Sequence, residues 1–112
     1  MGEISIGVLM CIVVSHFIGD FVMQSNRMAT NKSKDVAILT LHTIVYGLPF
    51  LWLGIYFYVL TVILHWFVDF STSRIASYFA GINNRYMFLV TTGIDQTLHM
   101  FALLYAYYVL IN

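Results

Sequence analysis

The chain has 112 residues, of which 61% are hydrophobic and only 9% are charged, and its mean hydropathy is +0.85. A soluble domain of this length could not cover so much apolar surface with so few charges. The composition therefore predicts a single integral membrane domain over residues 1–112, with the lipid bilayer as its partner. The net charge is zero, so we expect no nucleic-acid partner. A homo-oligomer remains an open alternative.

Four apolar stretches are long enough to cross a bilayer as helices. In chain order they cover residues 4–24, 36–54, 57–80 and 87–111. The second and third stretches run together, and we place the break near Gly54, with Pro49 kinking or ending the second. The sequence thus predicts an all-α fold, a four-helix antiparallel bundle in the membrane.

The basic residues predict the orientation of this bundle. All five lie in or beside the first and third connections: Arg27, Lys32, Lys34, Arg74 and Arg85. The positive-inside rule places both connections in the cytoplasm, which puts both termini outside. Asp35, in the first connection, is expected to be solvated or to cap a helix.

Three of the four histidines have an aspartate four residues away, and all three pairs lie in apolar stretches. The pairs are His16–Asp20, His65–Asp69 and Asp95–His99. Positions i and i+4 share one face of an α-helix. A charged side chain at the bilayer centre costs about 2.5–3.5 kcal/mol on insertion scales, so such groups normally face the bundle interior and mark functional sites.

The order within each pair follows the direction of its helix. The first and third spans run toward the cytoplasm and have His before Asp, whereas the fourth runs away and has Asp before His. All three aspartates should therefore lie one turn, about 6 Å, nearer the cytoplasm than their histidines. His42 enters the second span from the same face, so seven polar groups should form one layer.

Imidazole and carboxylate groups are ligands for Zn²⁺, Mn²⁺ or Fe²⁺. We predict one or two divalent ions per chain, with zinc ahead of manganese and iron. The predicted ligands are His16, Asp20, His42, His65, Asp69, Asp95 and His99. Two alternatives remain open: some aspartates accept hydrogen bonds from ligating histidines, or the pairs only hold helices together. Haem fits less well, because it does not explain three carboxylates at one depth.

Further polar side chains near the same face predict where a substrate would bind. They are Arg74, Lys32, Gln24 and Gln96. The cationic side chains of Arg74 and Lys32 could hold a phosphate. Asp69 and Asp20 are the candidate catalytic residues, one acting as general base beside an ion that polarises water or a phosphoryl oxygen. The favoured function is a metal-dependent hydrolase of a lipid-linked or phosphorylated substrate. The alternatives are a metal-ion transporter or channel, and a structural metal site.

Several of these elements together resemble one protein family. They are HFIGDFVMQ from His16, NKSK from Asn31, the lone His42, HWFVD from His65 and DQTLH from Asp95. The chain resembles, over nearly its whole length, the small bacterial and phage membrane proteins grouped as domain of unknown function 3307. That resemblance implies an integral protein of the bacterial inner membrane and supplies no activity. A looser similarity, to inner-membrane proteins described as metal-dependent hydrolases, slightly favours the hypothesis that the protein is an enzyme.

Overall fold

The computed structural model describes residues 4–111, and within that range the protein is helical without any β-strand, which confirms the predicted all-α class. We label the helices in chain order. They are α1 (Ile6–Phe17, continued by a π-helix at Ile18–Val22), α2 (Asn26–Asn31), α3 (Val36–Gly47, continued by a 3₁₀-helix at Leu48–Leu53), α4 (Ile55–Gly81) and α5 (Arg85–Leu110). Both chain ends, predicted to lie on the outer, non-cytoplasmic side of the membrane, fall beyond the described residues.

Three helical segments of the described chain are long and apolar enough to cross a membrane. They are Val36–Leu53 with 18 residues, Ile55–Gly81 with 27 and Arg85–Leu110 with 26. The first apolar helix, Ile6–Val22, has 12 residues of α-helix and 5 of π-helix. This total lies at the lower limit for a spanning helix. A bundle of four spans therefore stays a prediction, whereas three helices of membrane-crossing length and composition are present.

The interior is more polar than the surface. Among residues 4–111, eleven polar or charged residues are buried but only seven hydrophobic ones. Conversely, many large hydrophobic side chains are more than half exposed, such as Phe17 at 55%, Phe67 at 64% and Phe101 at 63%. Soluble proteins have the opposite arrangement. A surface this apolar supports membrane association.

The helix boundaries follow the signals in the sequence. Pro49 lies in the first turn of the 3₁₀-helix, and Gly54, at a φ of 104°, separates that helix from α4. The break predicted near Gly54 is therefore present. Asp35 caps α3, because its side chain accepts a hydrogen bond from the Ala37 amide at 2.9 Å. The short helix α2 was not predicted, and its cap is the Ser25 hydroxyl.

Close helix packing positions the polar interior. Helices α4 and α5 lie side by side and run in opposite directions. Two contacts show this: His65 stacks on His99, and Thr72, further along α4, donates to Asp95, which precedes His99 on α5. Beyond the polar layer, a buried apolar cluster closes the end of the bundle near Gly54. It consists of Ile12, Tyr46, Phe50, Phe57, Leu103 and Ala106. The site thus has packed side chains on one side and the α2–α3 and α4–α5 connections on the other.

Candidate metal centre

The members of the three predicted His–Asp pairs meet His42 in one cluster inside the bundle. Helix α1 and its π-helix contribute His16 and Asp20, and α3 contributes His42. The remaining members lie on α4 and α5: His65, Asp69, Asp95 and His99. All four histidines are at most 4% exposed, Asp20 and Asp69 are equally buried, and Asp95 is half-buried. The layer predicted from helix direction is therefore present as one assembly of side chains.

Three side chains define the most compact part of the cluster. His42 Nε2 lies 3.2 Å from His65 Nε2 and 3.3 Å from Asp20 Oδ1, and His65 Nε2 lies 3.5 Å from the same oxygen. A fourth atom, Asp69 Oδ2, lies 3.3 Å from His42 Nε2 and 3.8 Å from His65 Nε2. Ligands about 2.05 Å from a tetrahedral ion are about 3.3 Å from one another. The separations among His42, His65 and Asp20 therefore match those between three ligands of one tetrahedral ion, and Asp69 Oδ2 lies close to both nitrogens.

Three overlapping groups in the described chain have potential ligand atoms within 4.8 Å of one another. The groups are Asp20–His42–His65, His65–Asp69–His99 and Asp20–Asp95–His99. They include six of the seven predicted ligands. Buried His and Asp side chains at these distances are able to hold a metal ion. The predicted identity of the ion and the individual ligand assignments stay predictions.

The seventh predicted ligand, His16, lies outside these three groups among the described residues. Its Nδ1 lies 2.8 Å from the Tyr46 hydroxyl, and its Nε2 lies 2.7 Å from Gln96 Oε1. Because an amide oxygen only accepts, Nε2 donates this hydrogen bond, and a neutral imidazole then accepts the Tyr46 proton at Nδ1. Both ring nitrogens are thus engaged in hydrogen bonds.

Gln96 links this histidine to the carboxylates. Its Nε2 donates to Asp20 Oδ2 at 3.1 Å and to Asp95 Oδ2 at 3.0 Å. The path from Tyr46 through His16 and Gln96 therefore orients two carboxylates. Supporting contacts of this kind tune a metal site without touching the ion. Gln96 was predicted to bind substrate, and the structure places it inside the hydrogen-bond network of the cluster.

Two residues of the site were not found from the sequence. Tyr46 stacks on His65 with ring centroids 3.7 Å apart, and His99 stacks on the other face at 3.9 Å, so the His65 ring is held on both sides. Thr72 donates its hydroxyl to Asp95. Their spacing was a usable signal, since Tyr46 follows His42 by four residues and Thr72 follows Asp69 by three, which places each on the same helix face.

Five buried atoms of the cluster make no well-directed hydrogen bond within residues 4–111: the Nδ1 atoms of His42, His65 and His99, and two further atoms, Asp69 Oδ2 and His99 Nε2. A charged neighbour lies 3.0 Å from each of the last two, namely Lys32 Nζ beside Asp69 and the Asp95 carboxylate beside His99. A buried polar atom without a hydrogen bond costs about 1–3 kcal/mol. A bound cation would satisfy both atoms, which makes them informative about what the cluster holds.

Comparison with protein families decides where this chain belongs. The DUF3307 family model, described as a protein of unknown function, matches residues 8–112. The chain belongs to the DUF3307 family. The matched region contains every residue of the cluster. Comparisons with curated proteins and with solved structures give no match.

In this DUF3307 protein, a cavity of about 360 Å³ leads away from the cluster toward the α2–α3 and α4–α5 connections. The carboxylates of Asp20, Asp69 and Asp95 line the cavity, whereas the histidines lie behind them. Gln24 and Lys32, predicted to bind substrate, line this cavity, and the buried Gln24 Oε1 has no hydrogen-bond partner in the described chain. The cavity therefore joins the candidate metal centre to the predicted cytoplasmic end of the bundle.

Arg74, predicted to bind substrate, lies away from the cavity of this DUF3307 protein. Its guanidinium covers the Phe70 ring at 3.8 Å and donates to the Phe70 carbonyl at 3.0 Å. The reason is helical geometry. Arg74 follows Asp69 by five residues, which corresponds to a rotation of about 140° around the helix. The α4 residues that do line the cavity follow Asp69 at spacings of three, four, seven, eight and eleven.

Proposed function

We propose that this protein is a membrane-embedded, metal-dependent hydrolase of a lipid-linked or phosphorylated substrate. It has four transmembrane helices, with Ile6–Val22 as the shortest, and lies in the bacterial inner membrane with both termini outside. A divalent ion, with zinc ahead of manganese or iron, is bound by Asp20, His42 and His65. Asp69 and Lys32 complete the site on the cavity side.

The observation that carries this proposal is the set of separations among Asp20, His42, His65 and Asp69. The ligand atoms of Asp20, His42 and His65 are within 3.5 Å of one another, as the ligands of one ion would be. The adjacent Nε2 atoms of two imidazoles at 3.2 Å are compatible with one shared proton or one shared cation. The nearby carboxylates favour the cation, because they supply negative charge in a buried site.

Asp69 has the position expected of a proton acceptor. A catalytic ion keeps three protein ligands and one open position, whereas a structural ion is closed by four. Asp69 Oδ2 lies beside the three ligand atoms, 3.3 Å from His42 Nε2, and Lys32 Nζ contacts the same carboxylate from the cavity side at 3.0 Å. We assign Asp69 as the neighbouring base rather than a ligand, where it would accept a proton from water at the open position. An ion bound there would supply Lewis acidity toward a substrate in the cavity.

A transporter or channel is the less supported alternative. A transit site needs polar groups on both sides of the cluster. In the described structure, buried Ile12, Tyr46 and Phe50 pack beyond the histidines, and the cavity extends only toward the opposite end. A site that is accessible from one side fits a reaction better than a passage.

The test measures metal content and hydrolysis together. Wild type purified in detergent without chelator should carry bound Zn, Mn or Fe and hydrolyse at least one substrate in a panel of lipid and soluble phosphate esters. His42→Ala should lose the metal, whereas Thr97→Ala, an exposed substitution on α5, should retain it. Asp69→Asn should keep metal and melting temperature but lose turnover.

Two outcomes would contradict the proposal. Wild-type protein without bound metal would refute the site itself. Bound metal without hydrolysis, combined with earlier melting and metal loss in Asp69→Asn, would instead identify a closed structural site.

A further inference from the structure

The Asp20 carboxylate takes part in two of the three potential ligand groups. One group contains His42 and His65, and the other contains Asp95 and His99. We propose that the second group binds a second divalent ion, so that Asp20 bridges two ions. This inference rests on the proposed function, because it adds an ion beside the first.

His99 supplies the clearest sign of a second ligand set. The residue is 1% exposed, and its Nε2 has no well-directed hydrogen bond in the described chain although Asp95 Oδ1 is 3.0 Å away. The charged group 3.0 Å from this nitrogen is a carboxylate, the ligand type that shares metal ions with imidazole. An ion between His99 and Asp95 would satisfy both side chains.

The spacing of the rings fits two neighbouring ions. His65 and His99 stack nearly parallel, with centroids 3.9 Å apart and planes inclined by 17°. Ions in two-metal sites are roughly 3.5–4 Å apart. Two stacked imidazoles, one in each ligand group, match that separation. Gln96 holds Asp20 and Asp95 together, because its Nε2 donates to the Oδ2 atom of each. The Oδ1 atom of each carboxylate makes no hydrogen bond to Gln96 and faces the histidines.

The charges of the cavity indicate which substrate a two-ion site would bind. Its described lining contains three aspartates and, among basic side chains, only Lys32. With neutral histidines, one divalent ion would just neutralise these four groups. A second ion would make the site cationic, which is the condition for binding an anionic substrate. The inferred substrate class is therefore a phosphate ester whose phosphoryl oxygens contact both ions.

The experiment counts Mn²⁺ ions bound to the full chain. Protein purified in detergent is stripped with chelator and titrated with Mn²⁺, and free ion is followed by its electron paramagnetic resonance signal. Wild type should bind two ions per chain and give a spin-coupled spectrum. Asp95→Asn and His99→Gln should each bind one ion without coupling. Asp35→Asn is the matched control, since Asp35 caps α3 outside the cluster and Asn is also a good cap.

The possible results separate the two proposals. One ion in wild type, unchanged in Asp95→Asn but lost in His42→Ala, would overturn the second site and leave the first intact. Two ions retained in both Asp95→Asn and His99→Gln would overturn the ligand assignment. No bound ion in wild type would overturn both proposals. Circular dichroism and gel filtration establish that each variant is folded, and Asp95→Asn, being isosteric, remains informative if His99→Gln does not fold.

Discussion

Replacing Gly19 by alanine tests whether the close approach of two helices holds the metal centre together. A Cβ atom at position 19 would lie 2.4 Å from the carbonyl oxygen of Tyr46, whereas ordinary contacts begin at 3.4 Å. The obstacle is backbone, so it cannot rotate away like a side chain. The π-helix and α3 must therefore separate by about 1 Å to admit one methyl group.

This separation acts directly on the site, because the next residue is Asp20. Its Oδ1 lies 3.3 Å from His42 Nε2 on α3. A displacement of about 1 Å is several times the ±0.2 Å tolerance of metal–ligand distances. Overpacking of this kind costs about 1–3 kcal/mol. If this overpacking cost is borne only by the ion-bound state, the affinity for Mn²⁺ drops by roughly 5- to 150-fold.

The assay compares Mn²⁺ affinity and melting temperature of Gly19→Ala with those of Gly93→Ala. A Cβ at Gly93, on the exposed face of α5, meets nothing within 4 Å. That control should bind Mn²⁺ like wild type and be unchanged or up to about 1 kcal/mol more stable, because alanine is the better helix former. If Gly19→Ala matches the control in both measurements, the helices do not need this contact and the reasoning fails.

Three further predictions follow from the site and its orientation. Tyr46→Phe removes the hydroxyl that binds His16 and should weaken Mn²⁺ binding roughly 10- to 100-fold in the same titration, with stoichiometry unchanged; unchanged affinity would exclude a supporting role. Lys32→Gln should raise the KM for a phosphate-ester substrate or reduce turnover, whereas Lys34→Gln, which lies outside the cavity, should not; equal effects would point to general surface charge. In a chain without its native cysteine, Ser33→Cys should react with membrane-impermeant reagents only from the cytoplasmic side, and Tyr56→Cys only from the opposite side. Labelling of both variants from the same side would refute the predicted orientation.

The polar cluster was predictable because it depends on local periodicity. Spacing of four residues places His65 and Asp69 on one helix face, and apolar surroundings require that face to turn inward. Helix direction then put His42 at the same depth. These steps use only the geometry of single helices and the thickness of a bilayer, so the sequence was sufficient for them.

The role of each residue within the cluster was not predictable in the same way. His16 has the spacing of a ligand, yet Tyr46 and Gln96 from two other helices engage both its nitrogens. Such partners depend on how helices rotate and approach one another, which a single sequence does not reveal. The π-helix that carries Asp20 and the cavity between helices depend on the same packing. Arg74 lies outside the cavity for a simpler reason, since a spacing of five residues from Asp69 places it on another face of the helix.

The His–Asp pairs also bear on how the chain enters the membrane. A helix that enters the bilayer before it packs on its neighbours exposes its polar groups to lipid, and an isolated charged group at the bilayer centre costs about 2.5–3.5 kcal/mol. A partner one turn away on the same helix, such as Asp95 at 3.0 Å from His99, is already within reach at that stage. The helix can thus shield its own polar groups during insertion. His42, whose carboxylate partners lie on other helices at 3.3 Å, has no such protection within α3. We therefore expect α3 to depend most on its neighbours for stable insertion.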